Sequence, residues 1–114
     1  MKRSALLFSL LALSSAAFAQ QRLESAEECG VAADMAIVAR SLAEEEVQAQ
    51  KAATIMERIY GVAESQRGTD LMNDIIAAAY KKDAGVSGRQ FAEQLFMTCL
   101  KTGGNLELVL GKRL

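Results

Sequence analysis

The residues of this chain that could do chemistry are two cysteines, Cys29 and Cys99, and many carboxylates, including the run Glu44, Glu45, Glu46; histidine is absent. Spacing and type restrict what these can do. A closed zinc site takes about four thiolate or imidazole ligands, and two thiolates without histidine do not make one. A dithiol redox catalyst places its cysteines as C-x-x-C, whereas these stand 70 positions apart. A nucleophilic cysteine needs a basic neighbour, and Glu27 and Glu28 beside Cys29 disfavour its thiolate instead. Without histidine the usual general base, the commonest metal ligand and the Ser-His-Asp constellation are all missing. Lys51, Lys81, Lys82 and Lys101 read as exposed, so none is a buried base. Consecutive helical residues point in different directions, so Glu44 to Glu46 converge on nothing and read as a solvated face near a helix end. The sequence therefore predicts no catalytic residue, no cofactor site and no metal site, and a protein that is not an enzyme.

The remaining use for two cysteines is a staple, and the N-terminus supports it. Residues 1–19 carry Lys2 and Arg3, an apolar stretch from Ala5 to about Leu13, and an ending of Ala17, Phe18, Ala19. That is the layout of a secretory signal peptide with an A-x-A-type cleavage site, and its apolar part is shorter than the ~20 residues that cross a bilayer. The short charged start and alanine-rich end look bacterial. The expectation is cleavage after Ala19, a single domain over residues 20–114, and a periplasmic or secreted protein without a membrane span. In an oxidising compartment one Cys29–Cys99 disulfide follows. Closing so long a loop is worth roughly 4 kcal/mol in the chain-entropy model.

Charge adds an exclusion. The formal charge of −1 becomes −3 once Lys2 and Arg3 leave with the signal peptide, which gives no electrostatic footprint for nucleic acid.

The elements that must position the cysteines are helices. The mature chain has no proline and is rich in alanine, leucine, glutamate, methionine, lysine and glutamine, the strong helix formers; no stretch alternates like a strand. Ser25 with Glu28 forms a capping-box pattern, followed by Cys29, Ala33, Ala36, Ile37 and Val31, Met35, Val38, Leu42 as a broad apolar face, with Asp34, Arg40 and Ser41 elsewhere. A second stripe runs through Ala52, Ile55, Met56, Ile59 and Tyr60 to a stop at Gly61. Uninterrupted, residues 25–60 would make a helix about 54 Å long, against roughly 30 Å for a compact domain of this size, so a break near residues 45–48 is expected. Gly61 to Gly68 reads as a connection, with Thr69 capping a third helix whose inner residues are Leu71, Ile75, Ile76, Ala79 and Tyr80. Ser87 and Gln90 repeat the capping box ahead of Phe91, Leu95, Cys99 and Ala92, Phe96, Leu100. Gly103 and Gly104 end that helix, and Asn105 caps a last short turn.

The staple also tests the topology. Bridged cysteines need Cα atoms within about 7 Å. In an up-down bundle the start of the first helix meets the end of the last only when the number of helices is even. The fold class predicted is all-α, a small up-down four-helix bundle over approximately 25–44, 48–60, 69–82 and 88–102, stapled by one disulfide, with a short C-terminal turn.

Function must be argued from sites. Met35, Met56, Met72 and Met97 fall one per helix, so they read as core fillers that meet in one layer. Tyr60 and Tyr80 end apolar stripes where a hydroxyl can reach a partner. The tail holding Leu106, Leu108, Val109 and Leu110 is more apolar than a free end requires, and is either a lid over the bundle or an interface. The leading reading is an exported, non-catalytic module that binds another exported or envelope protein, as an inhibitor, immunity factor, adaptor or chaperone. The alternative is a carrier of a small apolar ligand in a core lined by methionines. In general design, a small helical exported domain with one long-range disulfide resembles the periplasmic acid-stress chaperones of enteric bacteria, with no motif in common.

Overall fold

The structure, a computed structural model, describes residues 26–82 and 85–110. Among these residues there are four principal helices and a final turn of helix: α1 (Ala26–Glu44), α2 (Ala49–Tyr60), α3 (Gln66–Lys81), α4 (Gly88–Lys101) and α5 (Glu107–Leu110). The signal peptide, cleavage site and Ser25 cap expected from the sequence fall outside the described residues.

The break after α1 is made without glycine or proline. Glu46 takes a left-handed conformation at φ 63°; its N–H donates to the Ala43 carbonyl, and that of Val47 to the Leu42 carbonyl. This pair of bonds is a Schellman closure, with glutamate where glycine is usual. At the end of α4, Gly103 stands at φ 68° and Gly104 N–H donates to the Cys99 carbonyl, the outer bond of the same motif. Ser87 and Gln90 form the full capping box at the start of α4, and Asn105 Oδ1 accepts from Glu107 N–H ahead of α5.

The third helix starts three residues earlier than its glycine suggests. Ser65, not Thr69, is the cap, accepting from Gly68 N–H, while Thr69 Oγ1 donates to the Val62 carbonyl. Gly68 lies within the helix, and a side chain there would meet Val62 Cγ1 at 3.1 Å, so glycine serves close packing and not a turn.

Contacts at the helix ends fix the up-down order. Cys29 and Cys99 are bridged, with Cα atoms 5.8 Å apart, and at the other end Gly88 packs against the Ile37 carbonyl and Arg40 Cβ; α1 and α4 are antiparallel. Arg67 pairs with Glu28, and Arg40 reaches the Ala79 carbonyl, so α3 runs parallel to α1. Tyr80, near the end of α3, donates to the carbonyl of Val47, just ahead of α2, making those two antiparallel. The bundle is squashed: α1 packs most on α4 and next on α3, whereas α2 rests mainly on α3. Small side chains permit this. Ala32, Ala36 and Ala39 on α1 and Ala79 on α3 are completely buried, and helices meeting through alanine come to the near end of the usual 8–10 Å range.

That close approach explains where the inner face of α1 departs from its predicted stripe. The buried residues are Cys29, Ala32, Met35, Ala36, Ala39 and Arg40, whereas Val31 and Ile37 are exposed. Arg40, expected on the polar side, is 3% exposed. Its guanidinium donates to the Ala79 carbonyl at 2.9 Å and the Val86 carbonyl at 3.1 Å, and pairs with Glu44 at 3.4 Å. It thereby adds a second, shorter bond to a carbonyl at the end of α3 that otherwise accepts only a long one from Lys82 N–H, at a place where the helix dipole also favours a cation. On α4, Phe91, Ala92, Leu95 and Cys99 are buried and Phe96 half-buried, as predicted, but Leu100 is exposed. Lys82, expected to be free in solvent, is half-buried and lies 5.0 Å from the centre of the Phe91 ring, a cation–π arrangement.

Candidate interaction surface

The disulfide holds α1 and α4 in register, and this pair carries the candidate site. From the Cys29–Cys99 bridge at one end and Gly88 against Ile37 and Arg40 at the other, Ala33 comes level with the neighbourhood of Phe96. Residues Gly30, Ala33 and Ile37 recur at i, i+3, i+7, and Glu93, Phe96 and Leu100 do the same on α4. In two antiparallel helices these sets flank one seam on the side away from the core. Ile37 is 43% exposed and Leu100 45%, while Met97, 52% exposed, points to the next face of α4; Ala33 and Phe96 are half-buried and pave the floor. At Gly30 a side chain would meet nothing within 4 Å, so the seam is open there. Single exposed apolar residues are ordinary on any protein surface; a set of them aligned along one seam is the less common arrangement. Arg89 and Glu93 edge the seam on α4 and Asp34 on α1, all exposed. Val31, on the other flank of α1, and Ile59 on α2 are exposed too.

The residues singled out by sequence lie elsewhere. The Tyr60 hydroxyl donates to Asp34 Oδ2 and ties the end of α2 to α1. Loss of solvent, then the Asp34 carboxylate, push its ionisation well above the ordinary tyrosine value. Tyr80 donates to the Val47 carbonyl at 2.6 Å, and burial raises its pKa. Both phenols thus make bonds within the chain. Of the C-terminal set, Leu106 and Val109 are buried and Leu110 is half-buried against the core; α5 packs on α3 and α4. Those residues close the bundle end as a lid, because their apolar area is removed from water within the chain. The Leu108 side chain and residues 111–114 lie outside the description.

Register also sorts the methionines. The pairs Glu28–Arg67 and Arg40–Ala79 are each 39 positions apart, which brings Met35 and Met72 to nearly one level. The Tyr80–Val47 and Thr69–Val62 bonds bring Met56 to the same level from the antiparallel α2. These three are buried, while Met97 faces outward. The expected four-methionine layer is therefore a layer of three.

No group of three or more histidine, cysteine, aspartate or glutamate residues able to hold a metal ion occurs among the described residues, and no described helix is long and apolar enough to cross a membrane. The seam was missed by sequence reading because Ile37 and Leu100 fit an inward stripe equally well. The chain has no significant match to a protein-family model, to a curated protein or to a solved structure.

Proposed function

We propose that this protein is an exported, non-catalytic module that binds another exported or envelope protein through the α1–α4 seam. One observation carries the reading: Ile37 and Leu100 are each close to half exposed along one seam, with Ala33 and Phe96 half-buried between them, on the two helices that the disulfide joins. A surface on clamped helices loses little freedom on binding, which favours affinity. The helix-bound carboxylates and the lack of histidine support a non-catalytic role, and the signal-peptide pattern of residues 1–19 with a long-range disulfide supports a periplasmic or secreted location. Inhibitor, immunity factor, adaptor and chaperone are all roles of this class.

The test is site-specific photocrosslinking in cells that make the protein. A photoreactive residue in place of Leu100 should give a discrete adduct with a second protein, and one in place of Gln50, exposed on α2, should not. Failure of the Leu100 position to form an adduct, or equal adducts at both positions, would remove the seam from consideration. The N-terminus of the recovered protein should be Gln20.

A further inference from the structure

We propose that α2 is a displaceable helix, which leaves the bundle as a unit while α1, α3 and α4 stay folded, and uncovers an apolar groove between α1 and α3. Burial is the first ground. Ala52 and Met56 are the buried residues of α2, against six on α1, five on α3 and four on α4. The squashed bundle is the second: α1 packs directly on both α4 and α3, so those three helices keep their mutual contacts when α2 moves, and the disulfide joins α1 to α4 behind them.

The fastenings of α2 are concentrated at its ends. Tyr80 bonds to Val47 on one side, and on the other Tyr60 bonds to Asp34 and Thr69 to Val62. Between these points the helix is held by its Ala52 and Met56 stripe, with Ala53 and Tyr60 packed partly against the core. The flanking residues Glu46 (φ 63°) and Gly61 (φ 62°) both stand in the left-handed region, so a change at one residue on each side re-aims the whole helix, the usual way a hinge works.

The surface beneath follows from the register. With Thr69 opposite Val62 and Tyr80 opposite Val47, the α3 residues under α2 are Met72 and Ile76; from α1 come Met35, Val38 and Leu42. Met35 and Met72 are at most 1% exposed in the closed state, so opening converts a sealed methionine layer into a flexible apolar groove. This proposal is independent of the seam reading.

Hydrogen exchange of the oxidised protein, followed by mass spectrometry near neutral pH, tests it. Amides of α2 should exchange at least ~100-fold faster than those of α1 and α4, because their opening leaves most of the core intact. Tyr80→Phe removes one end fastening and should raise α2 exchange a further fivefold or so; that bond is also lost on global unfolding, so α1 and α4 amides rise by no more than the same factor and the gap between them and α2 remains. Tyr60→Phe serves as a second variant at the other end and should act in the same way. If α2 amides of the unsubstituted protein exchange together with those of α1 and α4, α2 opens only by global unfolding and the proposal is overturned.

Discussion

Replacing Arg40 by methionine measures what the buried guanidinium contributes. The side chain is sealed between α1, the end of α3 and the loop entering α4, and donates to two carbonyls, those of Ala79 and Val86. Hydrogen bonds from a charged donor contribute about 1.5–3 kcal/mol each. The Ala79 carbonyl also accepts a long bond from Lys82 N–H at 3.3 Å, which softens its loss, and removing a buried charge returns part of its desolvation cost. The expected net loss is about 3 kcal/mol, which lowers the melting temperature by about 15 °C in a domain of this size. Urea unfolding followed by circular dichroism gives the value, with an unchanged m showing that the transition is the same one. Glu44→Gln is the control: Glu44 is about half exposed, so its pair with Arg40 should contribute less than about 0.5 kcal/mol. Arg40→Lys keeps the charge but not the fork that spans two carbonyls, and should fall between wild type and Arg40→Met. A loss below about 1 kcal/mol for Arg40→Met would refute the reasoning and make the guanidinium a passenger that water replaces.

Three further outcomes are expected. Reduction, or Cys29→Ser with Cys99→Ser, should cost roughly 4 kcal/mol by releasing the 70-position constraint, read as a fall in melting temperature with and without reductant. Glu46→Gly should stabilise the protein by up to about 1 kcal/mol, since glycine removes the left-handed penalty at φ 63° but adds freedom to the unfolded chain; a loss of stability in thermal melts would show that the Glu46 side chain has a role of its own. Because Tyr60 and Tyr80 ionise above their ordinary value in the folded state, their contribution is complete below about pH 10 and is lost as pH rises through the folded-state values. Both phenols should therefore resist ionisation in an ultraviolet titration until the helical signal falls, and titration near pH 10 in a fully helical protein would contradict the two intramolecular bonds.

Much of the fold was legible because its signals are local or topological. Capping at Ser87 with Gln90, the stop at Gly103 and the stripe of Phe91, Leu95 and Cys99 depend on neighbours within a turn or two. The four-helix count came from a global constraint, since two cysteines that must meet leave few chain paths. Even the break after α1 was recoverable from length alone, although the residue that makes it, Glu46, carries none of the usual sequence marks of a left-handed stop. The start of α3 was misplaced because Gly68 looks like punctuation, and only the proximity of Val62 shows that it is a packing residue.

The sequence by itself determined the helical class, the disulfide and its parity, and the lack of histidine chemistry, because composition, spacing and count do not depend on which neighbours a side chain finds. Tertiary structure decided which face of α1 is inner: alanine gives little hydrophobic signal, yet close approach to α3 selects Ala32, Ala36 and Ala39 and leaves Val31 and Ile37 outside. It also decided that Arg40 is buried, because the carbonyls it bonds lie 39 and 46 positions away. The α1–α4 seam belongs to neither helix alone. It exists because antiparallel packing sets Ile37, Phe96 and Leu100 along one groove, and that juxtaposition cannot be read from either stripe by itself.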